Sequence, residues 1–262
     1  MPAEPTPLIS ATEVYVRAGG TTLVERASLA INTNEVVVLL GPNGAGKTSF
    51  LRALLGITAT QADVQLQGDP ITGLTTTERA LRVSYLPQVR ETAWPNRVFD
   101  VIALGRFAQG VSLGNLSEID AAATRSAIAA CDLEGLSKRS VDTLSGGELA
   151  RVHCARLYAA HTPLLIADEP TAGLDPQQQH RIAQLFQAYA DATHGVLLVL
   201  HDLNLAMRYA TRIVWMQEGR IVADTPPHEV TAELVSEVYQ VKAESAPSAA
   251  DGTRQFILAP LP

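Results

Sequence analysis

Residues 41–48 read GPNGAGKT, a spacing that rings one lysine with glycines and follows it with a hydroxyl. Lacking Cβ atoms, Gly41, Gly44 and Gly46 let successive backbone N–H groups curl around an anion, with Pro42, Asn43 and Ala45 completing the turn. Lys47 is placed to reach the β- and γ-phosphates of a nucleoside triphosphate, and the Thr48 hydroxyl, with Ser49 beside it, to hold Mg²⁺. Such a loop needs a carboxylate at the end of a neighbouring strand. The run LLIADEP supplies Asp168 with Glu169 next to it. Consecutive residues at a strand end point in different directions, so Asp168 is expected at the metal. Glu169 then faces the attacking water as general base, although two acids there also suit a helix cap. Another apolar run ends at His201, a residue able to contact a γ-phosphate and sense its presence, or to be structural. Gln88, after SYLP, either completes the metal or water shell or is an ordinary turn residue.

A second stretch, TLSGGELAR at 143–151, has the anatomy of an anion site without its chemistry. Ser145, Gly146 and Gly147 precede a predicted helix, whose N-terminal end and bare N–H groups suit a negative charge. No lysine or metal-binding carboxylate stands beside them.

These residues need a parallel sheet to bring them together. EVVVLL (35–40), PLLIAD (163–168) and GVLLVL (195–200) are apolar without alternation, as expected for strands buried on both faces. Each leads into a turn and a helix, so their polar residues collect at the strand C-terminal ends, where open α/β sheets bind ligands. The clearest helix is PQQQHRIAQLFQAYADATHG, with Ile182, Leu185, Phe186 and Tyr189 on one face. Asp175 is its expected cap, Pro176 its first turn and Gly195 its end. Before the first of these runs, SATEVYVR and TLVERASLAI alternate around Gly19-Gly20 and predict antiparallel β structure. RVFDVIALGRF and SEIDAAATRSAIAACDLEGL read as helices, the latter capped at Ser117 and Asp120, so 89–160 is expected to be a helical insert. The resulting fold class is α/β: a P-loop core at about 8–88 and 161–241, an N-terminal antiparallel subdomain, and the insert. Beyond 241, SAPSAADGT reads as a linker or loop and RQFILAP as a short strand.

Composition narrows the partners. A net charge of −7 over 262 residues argues against nucleic acid and against electrostatic docking on an anionic membrane. Cys131 and Cys154 give neither a disulfide framework nor a metal spacing and are expected to be reduced thiols. With neither a secretory leader nor an apolar run of about 18 residues, the chain is expected on the cytoplasmic side of a membrane only through a partner.

Taken together, these residues resemble the ATP-binding subunit of an ABC transporter over roughly 9–241. The resemblance comprises GPNGAGKT, the glutamine loop at Gln88, LSGGE at 144–148, the Walker B run ending Asp168-Glu169, AGLD at 172–175, and the switch His201. It implies ATP as the nucleotide and two copies paired head to tail, each ATP lying between one copy's phosphate loop and the other's LSGGE. Ser145, Gly146, Gly147 and Glu148 would then serve a nucleotide on the partner, and Asp175 would communicate across the interface. The insert with Gln88 would pass the motion to integral membrane permease subunits fed by a solute-binding protein. YLPQVRETAWPNRVFDVIALGR (85–106) is similar to importers of iron–siderophore complexes, haem and cobalamin, with iron chelates favoured. An adenine-stacking residue is implied near the N-terminus, with Tyr15 the nearest aromatic and Arg17 the alternative. Asn34-Glu35 replaces the usual Gly-Glu before the first core strand, and Asn tolerates the left-handed turn. Cofactor-assembly ATPases share the single cassette and are the alternative. DNA-repair and translation relatives carry duplications, zinc cysteines or basic extensions that are absent here, and exporters are often fused to membrane helices.

Overall fold

The non-alternating runs are buried on both faces, as their composition requires. In the computed structural model, which describes residues 6–60, 62–89, 96–111, 115–248 and 253–261, every residue of β3 (Val36–Leu40) is buried, as are those of two strands later in the chain. The chain opens with β1 (Ile9–Ala18) and β2 (Thr21–Ile31), an antiparallel pair with bulges. After β3 come α1 (Lys47–Leu54), β4 (Asp63–Leu66), β5 (Asp69–Pro70), α2 (Thr76–Arg82) and β6 (Val83–Leu86). Helices and turns then dominate: α3 (Val98–Ala103), a 3-10 turn (Leu104–Gln109), α4 (Glu118–Ala130) and α5 (Gly146–Ala159). Between β6 and the next strand, Arg97 and Ser140 form an isolated β bridge. The core resumes with β7 (Leu164–Asp168), α6 (Pro176–Tyr189), β8 (Gly195–Val199), α7 (Leu203–Tyr209), β9 (Arg212–Gln217) and β10 (Arg220–Thr225). The chain ends in α8 (Ala232–Tyr239), β11 (Lys242–Pro247) and β12 (Arg254–Ala259).

The central sheet has the order β10-β9-β3-β8-β7-β6, and a smaller sheet has the order β2-β1-β4-β5. Residues alternate between two cores. Val36, Val38 and Leu40 face the helices of the insert side and α6 and α7, whereas Val37 and Leu39 face α1 and the antiparallel sheet. Parallel register sets Leu39 beside Val199, and Val199 beside Asp168, so three strand ends finish level at one edge. That edge is where the phosphate loop, the acidic pair and His201 emerge.

Three local expectations are changed or extended, and one is met. Gly195 does not end α6; the helix stops at Tyr189, and Asp191 makes the turn by accepting the Thr193 N–H at 2.7 Å and the His194 N–H at 3.0 Å. Gly195 instead begins β8, where a Cβ would lie 2.5 Å from the backbone oxygen of Asn32. The sheet also contains β9 and β10, which the apolar-run reading did not include, joined through Glu218 and Gly219 at positive φ (48° and 79°). In the tail, expected to be a linker with one strand, β11 and β12 pair in antiparallel register from Lys242↔Ala259 to Pro247↔Arg254. Asn34 adopts φ 61°, the left-handed turn its position was expected to need.

Candidate functional site

The phosphate loop leaves β3 and enters α1. Two of its glycines are forced by neighbours: a Cβ on Gly41 would sit 1.9 Å from the Met216 carbonyl oxygen, and one on Gly46 2.3 Å from that of Leu23. Gly46, at φ 95°, is also the N-cap of α1. Lys47 is almost fully buried and donates to the carbonyl oxygens of Gly41 (2.7 Å) and Pro42 (2.9 Å), which holds its ammonium at the centre of the loop. Burial pulls its pKa down, opposed by the charges of Glu169 and Asp168.

The two acids diverge as expected. Asp168 is fully buried; its Oδ2 accepts the Thr48 hydroxyl at 2.7 Å, and its Oδ1 has no hydrogen-bond partner among the described residues. Desolvation pushes the Asp168 carboxyl up and Glu169 adds to this, against the Thr48 hydrogen bond, Lys47 and His201. Glu169 takes a left-handed backbone (φ 52°), a conformation costly for a residue with a Cβ and common at sites that aim a side chain. Its Oε1 lies 2.5 Å from His201 Nε2. Asn43, Gly44, Ala45, Gly46, Lys47, Thr48 and Ser49 line a cavity of about 540 Å³ together with Gln88, Glu169 and His201. Leu23, on β2, lines it too. That residue was not anticipated, and its only sequence signal is its place just after the Gly19-Gly20 turn. Tyr85, on β6 and close enough to feel the Asp168 charge, is likewise new; burial pushes its phenol to about 12, so it stays protonated.

Tyr15 and Arg17 lie elsewhere, on a cavity of about 450 Å³ shared with Ala59 and Thr60. The LSGGE segment is also apart from the phosphate-loop cavity. Ser145 is the N-cap of α5 in a capping box: its Oγ accepts the Glu148 N–H at 3.3 Å, while Glu148 Oε2 takes the Ser145 N–H and hydroxyl, each at 2.8 Å. Those bonds hold the Glu148 carboxyl below the usual range. Gly147 packs near Leu174 and Gly173, and a Cβ on Gly146 would meet nothing within 4 Å, so this helix end is open. Asp175 caps α6, its Oδ1 accepting from the Gln178 N–H at 2.9 Å. Glu148, expected at a partner's nucleotide, is thus engaged in a capping box within the chain, and Asp175 forms the α6 cap expected of it.

A further groove of about 530 Å³ runs between the sheet side and the insert. Its walls come from α2 and β6 on one side and from Leu104, Phe107 and Arg156 on the other. Phe107 is 71% exposed at its rim. Arg106, from the DVIALGR stretch, turns away from this groove, bonding the carbonyls of Ala159 and Ala160 and pairing with Asp120 at 2.9 Å. Trp94 and Pro95 of the same stretch lie outside the described residues. Among the described residues, no helix is long and apolar enough to cross a membrane.

Comparison with known proteins identifies the family and the fold. A family model described as ABC transporter matches residues 24–172. The hemin import ATP-binding protein of Streptomyces coelicolor is 39% identical over 249 residues, covering 94% of this chain and 88% of that protein. The corresponding protein of Pseudomonas fluorescens is 41% identical over 239 residues, covering 88% and 92%. Among solved structures, a metal-chelate type ABC transporter in an inward-facing conformation superposes with TM-score 0.81 at 19% identity, over 97% of this chain and 98% of that one. A dimeric bacterial ABC transporter cassette superposes with TM-score 0.74 at 23% identity, over 84% and 98%. At those identities the structural matches speak for the fold.

Proposed function

The chain belongs to the ABC transporter family as an ATP-binding cassette, and from that premise we propose that it is the energy-coupling ATPase subunit of an importer for haem or a related iron chelate. Haem is the cargo in the names of the relatives, and a metal chelate that of the structural neighbour. The observation that carries the chemistry is the joining of three strand ends. Thr48 hydroxyl meets Asp168, Glu169 meets His201, and Lys47 is held in the loop between them.

The oxygens of Thr48 and Asp168 suit Mg²⁺. Both are hard donors, they stand 2.7 Å apart, and the buried Asp168 Oδ1 has no partner among the described residues. When bound, the ion would neutralise charge on the β- and γ-phosphates. Lys47 exchanges its loop carbonyls for those phosphate oxygens. Glu169 takes the proton from the water whose oxygen bonds to the γ-phosphorus as the bond to the ADP oxygen breaks. His201, hydrogen-bonded to Glu169, orients that carboxylate and reports whether the γ-phosphate is present.

The open end of α5 supplies the other half of the site on a second copy. Ser145, Gly146 and Gly147 do not line their own chain's phosphate cavity, while the Ser145–Glu148 box fixes the start of the helix and Gly146 faces open space, where the helix end suits an anion. ATP binding would close a head-to-tail pair and hydrolysis would release it. The groove beside Phe107 is where a permease segment would dock, holding the subunit at the cytoplasmic face of the membrane, with a solute-binding protein serving the permease from outside. In purified protein, Glu169→Gln is expected to cut turnover by about 10²–10⁴-fold while ATP still binds. Brisk steady-state hydrolysis by that variant contradicts the assignment of the base. With its permease in proteoliposomes, ATP-driven haem uptake is expected; uptake of another chelate with haem excluded overturns the cargo.

A further inference from the structure

His201 runs directly into α7, a helix of only seven residues that begins at Leu203. Its N-cap is Asp202, whose Oδ1 accepts the Leu205 N–H at 2.9 Å. Two turns of helix have little stability of their own, so the direction in which His201 leaves the sheet depends on what anchors the first turn. Part of that anchor is packing, through buried Leu203, Leu205 and Ala206. The rest comes from a segment 52 residues further along the chain. Asn204 Oδ1 accepts the Phe256 N–H at 2.8 Å, and Asn204 Nδ2 donates to the Phe256 carbonyl at 3.1 Å. One side-chain amide thus matches both backbone groups of a single residue, as a neighbouring strand would. That two-point bond fixes the orientation of the turn as well as its position.

The far side of the clamp is itself rigid. Phe256 is buried in the main core, and Arg254 donates to the carbonyl of Val230. β12 is paired along its whole length with β11, and the Ser248 N–H closes the hairpin onto the Thr253 carbonyl at 2.7 Å. Thus the C-terminal hairpin is tied into the core at one end and to the helix behind His201 at the other.

We propose that Asn204 is a positioning residue for ATP hydrolysis, locking the first turn of α7 onto the C-terminal hairpin so that His201 is held against Glu169. The proposal rests on reading Glu169 and His201 as the hydrolytic pair. It gives the hairpin a task in turnover that its distance from the phosphate loop conceals. Because the loop's own contacts are untouched, the effect belongs in kcat and not in nucleotide affinity.

The experiment is a double-mutant cycle on the full-length protein, comparing wild type, Asn204→Ala, His201→Ala and the double variant by steady-state ATPase and by ATP titration. Losing the two hydrogen bonds is expected to lower kcat about fivefold, with ATP affinity within about twofold of wild type. In the His201→Ala background the same substitution is expected to change kcat by less than about twofold, because there is no ring left to position. If Asn204→Ala does not fold, Asn204→Asp, which keeps the acceptor for the Phe256 N–H, carries the same cycle. Equal losses in both backgrounds, a wild-type kcat for Asn204→Ala, or a loss confined to ATP affinity overturns the proposal. Wild-type turnover by His201→Ala overturns the reading of the hydrolytic pair, and the proposal with it, and is recognised from that variant alone.

Discussion

Replacing Gly105 by alanine places a methyl carbon 2.2 Å from the backbone oxygen of Arg156 and 3.3 Å from the amide nitrogen of Ala160. Gly105 lies in the 3-10 turn after α3, and Arg156 in the last turns of α5, the helix capped by Ser145. Carbon and oxygen atoms do not approach closer than about 3.0 Å, so the two segments must separate by ~0.8 Å or more. The obstacle is backbone, which cannot swing aside. The same junction carries hydrogen bonds from Arg106 to the carbonyls of Ala159 and Ala160, and one from Gln109 to Ala160 at 2.9 Å. A separation of that size strains all of them. Overpacking of this kind costs about 1–3 kcal/mol. For a domain of this size, where 1 kcal/mol moves Tm by about 2–4 °C, the midpoint should fall by roughly 2–12 °C. Thermal unfolding followed by circular dichroism measures it, with Gly135→Ala as control. A Cβ on Gly135 meets nothing within 4 Å, so that variant should stay within about 1 °C of wild type. A Gly105→Ala protein that melts with wild type, or a control that falls equally, refutes the packing account of this turn.

Two further outcomes are expected. Burial raises the Asp168 carboxyl, so the folded chain binds that proton more tightly than the unfolded one, and its contribution to stability is lost as pH rises through the raised value. In buffer without Mg²⁺ or nucleotide, Asp168→Asn should therefore melt above wild type at pH 8, the gap narrowing as pH falls toward about 4, while ATPase activity is lost; equal or lower melting at pH 8 argues against the account. Ser145→Arg and Lys47→Ala chains should each be inactive alone and recover part of the ATPase rate when mixed, because a mixed pair holds one composite site with both halves intact. Absence of recovery, with pairing verified by cross-linking, counts against the shared site.

What could be read from the sequence was set by how local the physical demand is. The glycines of the phosphate loop announce themselves because the loop needs them wherever the chain is met. That Gly41 faces Met216 and Gly46 faces Leu23 depends on β9 and β2, which no spacing in the loop reveals. β9 and β10 carried a usable signal, an apolar run, Glu218-Gly219, and a second run. Gly195 was misassigned because a glycine after a helix resembles a stop, whereas the reason for it is the Asn32 carbonyl on a distant segment. Of the hairpin at the end of the chain only the RQFILAP strand was legible; its partner strand and its anchoring were not, since Asn204 and Val230 hold it from elsewhere in the sequence. Glu148 makes the opposite point. Its spacing from Ser145 is that of a capping box, the pattern already read at Ser117 and Asp120, and the structure uses it so. A carboxylate engaged in that way fixes Ser145 as the N-cap of α5 and leaves Gly146 facing open space. The segment is therefore an open helix end with no lysine of its own. On the proposed reading the lysine it would require is on the phosphate loop of a second copy, since the segment does not line the phosphate-loop cavity of its own chain.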